Sequence, residues 1–181
     1  MKKLLLITIL YCPVLASAQK LLKPAIDKVS GDTTWTTSKE KLYVHLNFLT
    51  QQGEGLECYV TKKGKSIALI LMPQTMNEQS VFTITDEQKA YLKFKDNSSV
   101  TLQADQFVMS DANVGQALNT VYSNGIIKAP YTLTNDVIAK IKASDVVFIR
   151  IETSEGNFDC DIKSKFSQVI KKELELVTNY K

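Results

Sequence analysis

The chain has 181 residues, of which 44% are hydrophobic and 23% are charged. This composition excludes an intrinsically disordered, collagen-like or disulfide-dense chain. The formal net charge is +3 and Arg150 is the sole arginine, so no clustered positive charge points to nucleic acid as a partner. The length corresponds to one domain.

The first 18 residues have the three parts of a secretory signal peptide. Two lysines follow Met1, residues 4–15 form the apolar region, and Ala16-Ser17-Ala18 is a small-residue cleavage site. A membrane-spanning helix needs about 20 apolar residues, so this segment is too short to serve as an anchor. We therefore expect cleavage before Gln19 and a periplasmic or secreted protein.

The processed chain is expected to be a single domain, residues 19–181, without a transmembrane span. It has 163 residues and a formal charge of +1, because the signal peptide removes two lysines. A chain of this size buries roughly 70% of its unfolded surface, enough for one stable core.

The alternation of apolar and polar residues predicts strands as far as Met109. In the first, residues 42–48, the pattern predicts one buried face and one polar face. The buried face would hold Leu42, Val44, Leu46 and Phe48, and the polar face Tyr43, His45 and Asn47.

Further strands are predicted along the same part of the chain. Residues 56–60 place Cys58 toward the core, and the continuous apolar run of residues 66–72 indicates a central strand buried on both faces. Three shorter strands are expected at residues 80–85, 90–95 and 100–104. The stretch from Ser110 to Ala129 predicts either a short helix or a long loop.

The C-terminal part predicts both helix and strand. A short strand over residues 131–133 precedes a helix that begins with Thr134 as its N-cap. Residues 146–153 and 157–163 predict a hairpin around Glu155-Gly156, in which Arg150 lies opposite Asp161 and Glu152 opposite Asp159.

A closing helix has one apolar stripe and polar residues on its other faces. The stripe contains Phe166, Val169, Ile170, Leu174 and Val177, and the polar residues are Lys171, Lys172, Glu173 and Glu175. The predicted fold class is therefore α+β: a mainly antiparallel β meander or open sandwich, with one or two helices packed near the C-terminus.

The passages Tyr131-Thr-Leu-Thr-Asn-Asp-Val-Ile138 and Val147-Phe-Ile-Arg-Ile-Glu-Thr153, with Gly156, carry a resemblance. They resemble the ending of small uncharacterised secreted or periplasmic proteins of Gram-negative bacteria. The resemblance lies in the C-terminal third and involves residues that build the fold. It implies an envelope location, and it implies no activity and no functional residues.

A metal site would have to use the soft ligands His45, Cys58 and Cys160. The alternation places His45 on the face opposite Cys58, and no pair has metal-ligand spacing. Neither a metal nor another cofactor is predicted. The two cysteines alternate inward in an exported chain, so they are either disulfide partners or two buried free thiols.

Signs of nucleophilic catalysis are confined to short matches. Residues 38–41 read Ser-Lys-Glu-Lys, and residues 122–124 read Tyr-Ser-Asn, two elements of penicillin-interacting enzymes. The first match enters a strand rather than a helix, and the third element, Lys-Thr-Gly, is absent. No catalytic residues are assigned.

The sequence therefore favours an exported, non-enzymatic binding or envelope-associated module. Its partner would be an envelope protein or a glycan, recognised through the β-surface. The alternative is a small envelope hydrolase with its site near residues 110–129.

Overall fold

A computed structural model describes residues 19–47, 49, 52–76, 81–117 and 120–179. For residues 76, 112–117 and 120–124 the backbone alone is described. The predicted signal peptide, residues 1–18, lies outside the described residues, as does Phe48.

Within these ranges strands dominate, and the two α-helices come late in the chain. A short 3-10 helix, Ser164–Phe166, precedes the second α-helix. The elements are β1 Ala25–Ile26, β2 Thr33–Thr36, β3 Glu40–Leu46, β4 Gly53–Lys63, β5 Ser66–Met76, β6 Thr83–Ile84, β7 Lys89–Phe94, β8 Ser99–Gln103, β9 Val108–Met109, β10 Asp111–Ala117, β11 Thr120–Ile126, β12 Ala129–Thr132, α1 Asn135–Ala143, β13 Val146–Thr153, β14 Gly156–Asp161 and α2 Val169–Thr178.

The larger sheet is built around the long antiparallel hairpin of β4 and β5. The outer side of β4 pairs with β2 and then with β3, and the outer side of β5 pairs with β12 and then with β11. A second, four-stranded sheet has the order β14-β13-β7-β8, again antiparallel. We refer to them as the large sheet and the small sheet.

The hydrophobic core lies between these elements. Leu56 and Leu71 of the large sheet belong to the same hydrophobic cluster as Ile149 and Ile151 of the small sheet, and all four are fully buried. Helix α2 packs against β4 and completes the core with its apolar stripe. None of the helices in the described part of the chain is long and apolar enough to cross a membrane.

The predicted α+β class is confirmed, with antiparallel sheets and two C-terminal helices. Thr134 caps α1, because its hydroxyl accepts a hydrogen bond of 3.4 Å from the amide of Val137. The central strand is confirmed as well, since both faces of β5 are buried from Leu69 to Met72.

The segment from Ser110 to Ala129 is neither a helix nor a long loop, so both predictions for it are wrong. It contains the antiparallel hairpin of β10 and β11, and β11 continues onto β5 through Asn124, Gly125 and Ile126. The long β5 extends beyond its pairing with β12, and its residues 74–76 offer backbone partners to this hairpin. Val and Tyr residues also favour strands in this segment.

The prediction for the first strand is wrong beyond Leu42. The register of β3 against β4 shifts between Lys41 and Tyr43, as in a β-bulge. An extra residue exchanges the two faces of all later positions. Val44 and Leu46 are consequently 41% and 45% exposed.

Gly53 holds the end of this β3–β4 ladder. A Cβ at this position would lie 2.5 Å from Cδ2 of Leu46 and 2.8 Å from the carbonyl oxygen of His45. Only glycine allows so close an approach of the two strands.

The predicted register of the C-terminal hairpin is wrong by two residues. Thr153 pairs with Gly156, so the turn residues are Ser154 and Glu155. Gly156 has a φ of +111°, which glycine tolerates, and the Thr153 hydroxyl donates a hydrogen bond of 2.9 Å to its carbonyl. A shift of two keeps each side chain on its face, so the predicted faces are correct.

This register changes the predicted cross-strand partners. Arg150 lies opposite Asp159 instead of Asp161, and Glu152 lies opposite Asn157 instead of Asp159.

The prediction for Glu173 is also wrong, because this residue is fully buried on the core side of α2. It lies one turn from Ile170 and from Val177, on the same helical stripe. The prediction followed the polar side chain of Glu173, whereas the helical period places this position on the core side.

Candidate binding surface

The outer face of the small sheet brings polar and aromatic side chains together. Residues directly opposite each other in antiparallel strands share a face. Tyr91 of β7 lies opposite Arg150 of β13, and in the next row Lys93 lies opposite Phe148. These side chains project away from the core, because their neighbours Leu92 and Ile149 are fully buried.

Glu152 organises one half of this face. Its Oε1 accepts a hydrogen bond of 2.9 Å from the Tyr91 hydroxyl, and its Oε2 accepts one of 2.9 Å from the amide of Lys89. The hydrogen bond to Glu152 raises the pKa of Tyr91, since the carboxylate favours the protonated phenol. With both oxygens engaged, Glu152 holds the phenol ring in place.

Arg150 organises the other half. Its Nε and Nη2 donate hydrogen bonds of 2.7 and 2.5 Å to the two oxygens of Asp159. This pairing lowers the pKa of Asp159 and raises the pKa of Arg150. The guanidinium carbon also lies 5.9 Å from the centroid of the Phe148 ring, within the range of a cation–π contact.

Between the two halves the surface forms a shallow depression of about 370 Å³. Its lining residues come from all four strands of the small sheet and from the turn between β7 and β8: Tyr91, Lys93, Asn97, Ser99, Phe148, Arg150, Glu152 and Asn157.

The turn that contributes Asn97 is fixed from outside the sheet. Lys140 of α1 forms an ion pair of 2.7 Å with Asp96. Hydrogen bonds from Lys140 and Ser98 lower the pKa of Asp96 to about 2. The rim of the depression is therefore attached to α1 as well as to β7 and β8.

No protein-family model, curated protein or solved structure matches this chain.

The charges on this face balance. Lys93 and Arg150 are positive, and Glu152 and Asp159 are negative. Such a surface favours a neutral ligand over a polyanion. Two half-exposed aromatic rings beside ordered hydrogen-bonding groups are suited to a flat ligand that has both apolar and polar edges.

Cys58 and Cys160 are both fully buried, as predicted from their strands, and both are free thiols. Burial raises the pKa of each thiol, and the charges of nearby carboxylates raise it further. The alternative of a disulfide between them stays a prediction.

The other residues considered for chemistry lie apart from the depression. His45 is exposed on β3, and the bulge places it on the same face of the large sheet as Cys58, opposite to the prediction. The Ser38 hydroxyl donates a hydrogen bond of 2.9 Å to Glu40 rather than to Lys41. Among the described residues, no group of three or more His, Cys, Asp and Glu side chains could hold a metal ion.

The hydrolase alternative stays a prediction, and the segment to which it assigned the site, residues 110–129, contains the β10–β11 hairpin. Residues 122–124 belong to β11, where the backbone alone is described.

Sequence reasoning missed Tyr91 and Phe148. Each is an aromatic residue at the outward position of an alternating strand, and this was the signal available. Their proximity depends on the pairing of β7 with β13, more than 50 positions apart in the chain.

Proposed function

We propose that this chain is an exported binding module that holds a glycan on the outer face of the small sheet. The observation that carries the proposal is the depression in which Tyr91 and Phe148 stand beside the ordered side chains of Arg150 and Glu152. The C–H faces of sugar rings stack on aromatic rings, while the sugar hydroxyls exchange hydrogen bonds with polar side chains.

The polar side chains of the depression are held in place before a ligand binds, and this favours binding. Each side chain that a ligand immobilises costs about 0.5–1.5 kcal/mol. Arg150 and Glu152 are already fixed by Asp159, Tyr91 and the Lys89 amide, so their ordering adds little to this cost. The balanced charge supports a neutral sugar polymer as the ligand.

The same contacts argue for a module without catalysis at this surface. Both oxygens of Glu152 accept hydrogen bonds, which leaves this carboxylate poorly placed to take a proton from a substrate. Export rests on the predicted signal peptide.

The proposal is tested with protein recovered after export of the full chain. The probes are purified peptidoglycan sacculi in a pelleting assay and an N-acetylglucosamine tetramer in calorimetry. We expect Tyr91→Ala and Phe148→Ala each to weaken binding about tenfold, which corresponds to about 1.4 kcal/mol. Phe107→Ala is the matched control, because Phe107 is an exposed aromatic residue outside the depression.

Two results would contradict the proposal. One is sugar binding that survives both substitutions. The other is wild-type protein that binds neither probe but is retained by envelope proteins, which would identify a protein partner instead of a glycan.

A further inference from the structure

A second pocket lies where the two sheets separate at one end of the core. It has a volume of about 230 Å³, smaller than the sites of drug-sized ligands, which are about 300–1,000 Å³. Its lining comes from both sheets and from the segment before β6: Glu54, Thr75, Phe82, Thr153, Glu155, Gly156, Asn157 and Phe158.

Thr75 is the unusual residue of this pocket. It is only 8% exposed, and its hydroxyl has no hydrogen-bond partner within the described part of the chain. A buried hydroxyl without a partner costs about 1–3 kcal/mol, so such groups are rare in folded proteins. Because Thr75 lines the pocket, a ligand there could supply the missing hydrogen bond.

The charge of the pocket is negative. Glu54 lies directly opposite Thr75 on the same face of the large sheet, and Glu155 lies in the turn of the β13–β14 hairpin. Neither glutamate forms an ion pair among the described residues, and the described lining contains no lysine, arginine or histidine. His45 lies opposite Glu54 in the register, on the side away from Thr75.

The walls of the pocket are held in place before any ligand arrives. The Ser154 amide donates a hydrogen bond of 3.0 Å to the carbonyl of Thr83, and the Thr83 amide donates one of 3.0 Å to the Ser154 hydroxyl. The Phe82 amide donates a hydrogen bond of 3.1 Å to the Ser110 hydroxyl. The hairpin turn, the Phe82 ring and β5 therefore form a preorganised cavity.

The geometry points to this pocket as a binding site for a small organic amine in its protonated form. The ammonium group would lie between the carboxylates of Glu54 and Glu155 and donate to the Thr75 hydroxyl. The apolar part of the ligand would contact the rings of Phe82 and Phe158, which also attract a cation.

A divalent metal ion suits the pocket less well. Ca²⁺ takes six to eight oxygen ligands, and two phenylalanine rings occupy part of this lining. A neutral diol could reach Thr75, but it would leave both carboxylates without a partner.

The test is a titration of the exported protein with 1,4-diaminobutane, followed by the NMR amide shifts of Thr75 and Phe158. 1,4-Butanediol has the same length without the charge, and CaCl₂ at matched ionic strength tests for a metal. We expect saturable shifts with the diamine alone. Shifts with the diol or with Ca²⁺ that equal those with the diamine would overturn the assignment, as would the absence of saturable shifts.

Two substitutions sharpen the test. Glu54→Gln and Thr75→Val should each weaken diamine binding about fivefold, since each removes one polar contact. Glu87→Gln is the matched control, an exposed glutamate outside the pocket, and should change binding less than about twofold. An equal loss with Glu87→Gln would show that the amine responds only to net charge and would overturn the site.

Thr75→Val has a second readout that does not depend on the ligand. Removing a buried hydroxyl that lacks a partner should raise the melting temperature of the free protein while it weakens binding. A lower melting temperature would mean that the fold already satisfies this hydroxyl, and the inference would fail.

Discussion

Arg150 and Asp159 lie opposite each other in β13 and β14, and the guanidinium donates two hydrogen bonds to the carboxylate, of 2.7 and 2.5 Å. Arg150 is the sole arginine of the chain, so its side-chain Nε–H gives a single NMR signal. Asp159→Ala should move this signal and speed its exchange with water. Asp161→Ala, on the same exposed face of β14, should leave it unchanged.

The same pair also makes a small contribution to stability. Both side chains are 41% exposed, so Asp159→Ala should lower the free energy of unfolding by no more than about 0.5 kcal/mol. The pairing lowers the pKa of Asp159, and its contribution is therefore present at neutral pH and lost as the pH falls through that lowered pKa. Urea unfolding at pH 7 and in acid measures both effects. A larger loss for Asp161→Ala would favour the other register.

We expect the buried carboxyl group of Glu173 to make the stability of the fold depend on pH. This residue is 0% exposed, and neither carboxylate oxygen accepts a hydrogen bond of good geometry from the residues described; the nearby Val60 amide donates to the Thr37 hydroxyl and only partly opposes the rise in the pKa of Glu173. Burial, together with the charge of Glu40, raises its pKa to about 8. The folded state therefore keeps this proton up to about pH 8, whereas the unfolded chain releases it at about pH 4.3. The contribution of Glu173 to the free energy of unfolding is therefore fully present in acid, and it falls, on the order of a few kcal/mol, as the pH rises to about 8.

Glu173→Gln should remove this slope and make the protein more stable than wild type at pH 8. Urea unfolding at several pH values between 5 and 9 measures it. Glu175→Gln, an exposed position on the same helix, is the control and should follow the wild type. If Glu173→Gln also follows the wild type across this range, the buried carboxylate does not control the pH dependence.

Leu71 tests the central strand. It is fully buried at the middle of β5, and Leu71→Ala should cost about 2–5 kcal/mol through lost burial and a cavity. Leu46→Ala is the matched change at a position that is 45% exposed beyond the bulge, and should cost far less. Thermal unfolding compares the two, and equal losses would restore the inward position that the alternation predicted for Leu46.

The cysteines give a test of the redox state. Cys58 and Cys160 are buried thiols whose pKa values are raised by burial, so they should react very slowly with a thiol reagent in the folded protein. After unfolding without reductant, protein recovered from the periplasm or the medium should carry two labelled cysteines. Unreactive protein that labels only after reduction would establish the disulfide.

The mass of the intact protein shows directly where the N-terminus is cleaved. Intact mass spectrometry of protein from the periplasm or the medium should show a chain that begins at Gln19. A species that keeps residues 1–18 would contradict export through cleavage at Ala18.

The sequence predicted those parts of the fold that depend on local periodicity. The stripe of α2, the cap at Thr134 and the doubly buried strand at residues 66–72 all follow from short-range patterns. Glu173 shows the limit of such reading, because the helical period places it inward while its charge suggests the surface. Its burial depends on how α2 packs against β4, and the sequence of the helix alone does not reveal this packing.

Registers were harder to predict than faces. The hairpin with Arg150 opposite Asp161 and the one with Arg150 opposite Asp159 differ by two residues, and both satisfy the alternation. The contact between the Thr153 hydroxyl and Gly156 belongs to the second register. The candidate surface could not be predicted for a similar reason, since Tyr91 and Phe148 come together only through the pairing of strands that are distant in the sequence.

The bulge at Leu42 also bears on chain length. Leu42 has no residue opposite it on β4, so its deletion would leave a regular ladder in which His45 and Leu46 keep their partners and their faces. Deletion of Val44, with Tyr43 still opposite its partner, would instead place His45 opposite Gly55 and Leu46 opposite Glu54, and would exchange their faces. The row that now consists of His45, Glu54 and Thr75 would then lose its histidine, although none of the residues that line the amine pocket would have changed. The loss of one residue after the bulge would thus alter the border of that pocket.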